Sequence, residues 1–132
     1  MAIIRTVRGF TPSFGVNCFL AENAVVVGDV MMGEGCTVWY NAVVRGDVNS
    51  IRVGSFTNIQ DGAIIHCTYE KFKTVIGDKV SIAHGAIVHG CTIENNVLIG
   101  MGAIVMDGAV VQQGAVVAAG AIVLPGTVVE SG

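Results

Sequence analysis

Ile93, Ile99, Val105, Val111, Val117, Val123 and Val129 follow one another at a constant step of six residues. That period constrains the fold more than any other feature of the chain. Two positions before each aliphatic stands Cys91, Val97, Ala103, Ala109, Ala115, Ala121 or Thr127, mostly small, and Gly102, Gly108, Gly114, Gly120 and Gly126 keep the same step. A helix has no use for the pattern: a step of six drifts around a 3.6-residue turn, and each interior Gly would cost about 1 kcal/mol relative to Ala. A short strand followed by a tight corner accommodates it, with the aliphatic and the small residue pointing inward and Gly or Asn supplying a positive φ. Such units bury their apolar side by stacking, which predicts an all-β solenoid.

The frame extends upstream through Val26, Met32, Val38 and Val44, then Val53, Ile59 and Ile65, then Ile76, Ile82 and Val88. It breaks three times: nine residues separate Val44 from Val53, eleven separate Ile65 from Ile76, and five separate Val88 from Ile93. The longest break contains the polar run from Thr68 to Thr74 and predicts an external loop at about 67–75. Residues 1–132 are read as a single domain. Mean hydropathy is high, +0.69, but Gly, Asp, Asn or Glu interrupts every apolar run well short of the ~18 residues that span a bilayer, so no membrane association is expected. Arg5 and Arg8 interrupt the N-terminal apolar stretch, which makes the cytoplasm the expected location. A net charge of −3 without a basic stripe argues against nucleic acid. Cys18, Cys36, Cys67 and Cys91 show no metal-knuckle spacing and read as small buried hydrophobes.

The repeat resembles that of the hexapeptide, left-handed parallel β-helix superfamily, whose coils have three flat sides. The left hand is implied by the resemblance alone, since parallel crossovers are ordinarily right-handed. With three units per coil, the chain's three histidines acquire positions. Ile65 and Val88 are three units apart, so His66 and His89 point outward from one side, one coil apart at the ~4.8 Å spacing of paired strands. Arg45 stacks beneath His66 by the same count. His84 falls on another side, with Asp61 beneath it. Two imidazoles at that spacing suit one metal ion, and closure by His84 of a neighbouring subunit predicts a homotrimer with metal sites at its interfaces. Arg45, Asp47, Gln60 and Asp61 lie one coil from the histidines, where a metal site needs supporting polar groups.

Asn41-Ala-Val-Val-Arg-Gly-Asp47, Asn58-Ile-Gln-Asp61, His66 and His84-x4-His89 together resemble the γ-class carbonic anhydrases over residues 10 to 130. The resemblance implies that His66, His84 and His89 bind Zn2+, or Fe2+ or Co2+, and that Gln60 orients the attacking water. It also implies that Arg45 pairs with Asp47 or Asp61 across the subunit interface, and that a metal-activated hydroxide hydrates carbon dioxide to bicarbonate. Two features depart from the family. Val48 replaces the Glu that serves active members as proton shuttle, leaving Glu70 in the following loop as the nearby alternative. The sequence ends at Glu130-Ser131-Gly132, so the β-helix is expected to lack the family's usual C-terminal helix. An acyl-CoA thioesterase, a hexapeptide acyltransferase and a non-catalytic metal-stabilised trimer remain the competing readings, because one scaffold hosts several chemistries. Cys67, next to His66, is expected to face the core by strand alternation.

Overall fold

Each regular unit folds as a two-residue strand and a turn, as in Leu98–Ile99, Ile104–Val105, Val110–Val111, Val116–Val117 and Ile122–Val123. The second residue of each strand points inward and the first outward, the period-two alternation of extended chain. In the computed structural model, which describes residues 1–132, these units wind about seven turns of a left-handed parallel β-helix with no α-helix. Gly102, Gly108, Gly114, Gly120 and Gly126 occupy the corners at φ between 67° and 77°, which an L side chain adopts only under strain. No helix is long and apolar enough to cross a membrane.

The coil has three sides. The first is built from Ile3–Arg5, the starts of Val25–Met32 and Val43–Val53, then Ile64–His66, Ile87–His89, Ile104–Val105 and Ile122–Val123. The second stacks Phe19–Leu20, Thr37–Val38, Asn58–Ile59, Ser81–Ile82, Leu98–Ile99 and Val116–Val117. The third stacks Ser13–Phe14, the ends of the two long strands, Thr74–Ile76, Thr92–Ile93, Val110–Val111 and Val128–Val129. Every strand pairs in parallel with the same side of the coils above and below. The core is therefore a set of vertical columns: Val26, Val44, Ile65, Val88 and Val105 on the first side are completely buried, as are Val38, Ile59, Ile82 and Ile99 on the second. At ~1.5–3 kcal/mol for each large aliphatic removed from water, these columns supply the main stabilisation.

All three breaks in the period fall at one corner, where the first side turns into the third, on three successive coils. In Val43–Val53 the register jumps from Gly28↔Gly46 to Val30↔Ile51, so Asp47, Val48, Asn49 and Ser50 together face Asp29 and form an outward bulge. On the next coil the excess leaves as a turn closed by an antiparallel bridge between Thr68 and Phe72. The excursion is shorter than the sequence suggests, because its ends, Cys67 and Thr74, are buried. On the third coil the corner is one residue short, at Gly90 with φ 58°.

Cys36, Cys67 and Cys91 are buried and Cys18 is half-buried. Burial pushes the thiol of Cys36 up from its ordinary value, that of Cys67 up to about 11 and that of Cys91 up to about 12. The native protein is expected to expose one fast-reacting thiol, Cys18, to an aromatic disulfide reagent at pH 8, and all four only after unfolding. Because the buried thiols ionise at higher pH folded than unfolded, they favour the fold fully below pH 9.0 and cease to do so as the pH rises through their folded values. Unfolding midpoints should therefore fall on the alkaline side, and a flat profile from pH 8 to 11 would contradict this packing.

Candidate metal centre

The outward residue following each inward aliphatic on the first side forms a second column, Val27, Arg45, His66, His89, Met106 and Leu124. His66 and His89 are direct register partners, and their rings stand 5.1 Å apart, edge to face. Their backbones are locked together by Thr74, fully buried at the same corner: its hydroxyl donates to the carbonyl of His66 at 2.5 Å and accepts from the N–H of Gly90 at 2.9 Å. Sequence reasoning passed over Thr74 because a lone Thr in a polar run carries no signal of burial.

Each of the two imidazoles meets a carboxylate. Asp47, in the bulge, lies 2.9 Å from Nε2 of His66 through one oxygen and accepts from Arg45 at 2.7 Å through the other. Within the single chain Arg45 and Asp47 pair with each other, because residues two apart on a strand share a face. Asp107, from the next coil, lies 2.6 Å from Nδ1 of His89 and accepts from the hydroxyl of Thr68 at 2.6 Å. Burial on its own would raise both carboxyls. For Asp47 the hydrogen bonds from His66 and Arg45, with the charge of Arg45, outweigh it and hold the group below the ordinary carboxylate value. For Asp107 the hydrogen bonds from Thr68 and His89 do the same. Asp107 was missed from sequence: the frame stacks Met106 on His89 and puts Asp107 one position on, over Gly90, and only the side chain's direction brings it to the ring.

The remaining predicted residues gather on the second side. His84 is exposed, with Nδ1 3.4 Å from Asp61, and shares a shallow groove of about 510 Å³ with Thr37, Trp39, Asn58, Gln60 and Asp61. Gln60 donates to Asn58 at 2.9 Å, and Asn58 donates to Ser81 at 2.9 Å. One chain therefore carries two separate polar clusters on different sides, His66 and His89 with Arg45 and Asp47 on one, His84 with Gln60 and Asp61 on the other. No three His, Cys, Asp or Glu side chains of a single chain converge on a metal-sized position. Cys67 faces the core, its Sγ directed at the carbonyl of Asn49.

Two recesses lie near this corner. One, of about 300 Å³, is lined by Ile87, Ile104, Met106 and Pro125 with His89 and Asp107. The other, of about 290 Å³, is formed by the bulge and the external turn and includes Asp47, Val48, Tyr69, Glu70 and Arg8. Glu70 thus borders the same recess as Asp47, while Val48 packs against the core.

No family model matches the chain. A probable carbonic anhydrase of Methanocaldococcus jannaschii is 54% identical over 89 residues, which are 67% of this chain and 55% of that protein. The mitochondrial gamma carbonic anhydrase 2 of Arabidopsis thaliana is 45% identical over 102 residues, 74% of this chain and 37% of that protein. The crystal structure of a hexapeptide transferase family protein from Anaplasma phagocytophilum superposes with a TM-score of 0.93 at 44% identity, covering 98% of this chain and 76% of that one. The chain belongs to the γ-carbonic anhydrase-like, hexapeptide-repeat family. It spans about half or less of the length of these two curated relatives.

Within this family member, Gly46 is the residue that shapes the Arg45–Asp47 corner. A Cβ there would stand 2.6 Å from the backbone oxygen of Asp29, so the bulge would have to move. Gly46→Ala is expected to cost about 1–3 kcal/mol, as overpacking does. Arg45→Ala, which removes a half-exposed ion pair, is expected to cost under about 1 kcal/mol. Urea melts of the two variants check the order, and equal losses would mean that the bulge tolerates a side chain.

Proposed function

We propose that this protein is a homotrimeric, metal-dependent enzyme that reversibly hydrates carbon dioxide to bicarbonate, with a divalent ion held by His66 and His89 of one subunit and His84 of the next. The observation that carries the reading is the division of the histidines: two stacked in register on one side and the third on another, each beside a carboxylate. Side-by-side packing of three triangular coils is the closed arrangement that brings different sides of identical chains together. The donor set fits Zn2+, with Fe2+ or Co2+ as substitutes, because three neutral imidazoles are borderline-soft ligands that leave room for a further oxygen donor. His89 suits the role in particular, since Asp107 engages Nδ1 and no hydrogen bond within the chain engages Nε2.

When bound, such an ion supplies Lewis acidity that makes water a nucleophile near neutral pH. The chain's own groups do the rest. Gln60, on the His84 side, presents an amide to orient the attacking water. The apolar recess of Ile87, Ile104 and Met106 beside His89 suits a small uncharged molecule such as carbon dioxide better than a charged one. Arg45 holds Asp47 in place, and Glu70, which lines the second recess together with Asp47, is the carboxylate we assign to pass a proton to solvent. An acyl-transferring role is the second reading, supported by the name of the Anaplasma relative.

Elemental analysis with light scattering is expected to find one metal per chain in a trimer. His84→Ala should retain the fold and lose most of the metal. A metal-free monomer, or a variant with full metal content, would overturn the shared site. Carbon dioxide hydration measured against hydrolysis of a short acyl-CoA on the metal-loaded protein separates the two activities.

A further inference from the structure

Asp107 is the acidic residue of the corner that the sequence motifs do not include, yet it has the shortest contact to an imidazole in the molecule. Both of its oxygens are engaged: Oδ1 faces Nδ1 of His89 at 2.6 Å and Oδ2 accepts from Thr68 Oγ1 at 2.6 Å. Thr68 is itself held, its carbonyl accepting from Nδ2 of Asn49 at 3.2 Å and its N–H bonded to the carbonyl of Phe72 at 2.9 Å. Bulge, external turn and the coil above thus converge on one side of one ring. An ionised carboxylate only accepts, so the ring nitrogen facing it carries the proton. At His89 that contact selects the tautomer with the proton on Nδ1 and the lone pair on Nε2. His66 is held the other way, by Nε2, the nitrogen that faces Asp47.

We propose that Asp107 is a positioning residue that sets the tautomer and ring orientation of His89 so that Nε2 is the metal-binding nitrogen, and that Thr68 holds the carboxylate for this task. The proposal rests on the reading of His89 as a metal ligand. It gives the external turn a purpose. The five extra residues between Ile65 and Ile76 deliver Thr68 to Asp107, 39 positions further along the chain. Carboxylates behind ligating imidazoles ordinarily contribute 10- to 100-fold to metal affinity.

Two measurements on the full chain test it. In metal-free protein with 15N-labelled histidine, long-range proton–nitrogen correlations at neutral pH should show His89 as a single Nδ1–H tautomer. Asp107→Ala should convert it to a mixture while leaving His66 unchanged as an internal reference. By chelator competition, Asp107→Ala should bind Zn2+ and Co2+ roughly 10- to 100-fold more weakly than the wild type. Thr68→Val should lose less in the same direction, and Asp107→Glu should recover part of the loss. Should Asp107→Ala fail to fold, Asp107→Asn replaces it; the isosteric amide removes the charge and is expected to fall between the alanine variant and the wild type. Unchanged affinity and an unchanged tautomer in either variant would overturn the proposal. A wild-type chain that binds neither ion, yet loses its single tautomer in Asp107→Ala, overturns the metal reading and leaves the tautomer assignment standing.

Discussion

Everything in this molecule depends on stacking identical sides of successive coils in parallel register. A strand of two residues has no stability of its own, and a single coil buries too little apolar surface to offset the entropy of ordering it. Repetition solves both problems. Each inward Val or Ile is covered by its counterparts above and below, so Ile65 packs between Val44 and Val88, and Ile82 between Ile59 and Ile99. The outward residues inherit the same register without needing any contact of their own. That is why His66 and His89 stand over one another, and why Arg45 lies in the same column.

Regularity builds the scaffold and irregularity builds the site. Bulge, external turn and shortened corner all occupy one edge on three successive coils, flanking the stacked histidines. In the coils above, where the repeat is uninterrupted, the outward column turns apolar at Met106 and Leu124. The bulge supplies Asp47, the turn supplies Thr68, and the shortened corner brings Gly90 within reach of the buried hydroxyl of Thr74. Local departures from the fold's own rule concentrate polar groups where the apolar columns would not tolerate them.

The two histidine clusters use their carboxylates differently. On the first side, Asp47 and Asp107 take up opposite ring nitrogens of neighbouring imidazoles, which removes rotational freedom from both rings before any ligand arrives. On the second side, His84 is more exposed and more loosely paired with Asp61. Proteins related to this family member go under both anhydrase and transferase names.

Much was legible before any coordinates. A period of six with repeated Gly excludes helices, places the inward columns, and by counting units alone puts His66 above Arg45, below His89 and apart from His84. Those conclusions follow from backbone geometry, because side-chain direction in extended chain alternates strictly and parallel register carries it from coil to coil. Side-chain partners were decided only in three dimensions. The sequence shows five extra residues after Ile65, but not that they tuck Thr74 into the core and aim Thr68 at Asp107. It shows Arg45-Gly46-Asp47, but not that the pair closes within one chain. These choices depend on how bulge, turn and corner pack at one edge, and that packing joins residues far apart in sequence whose separate spacings carry no record of one another.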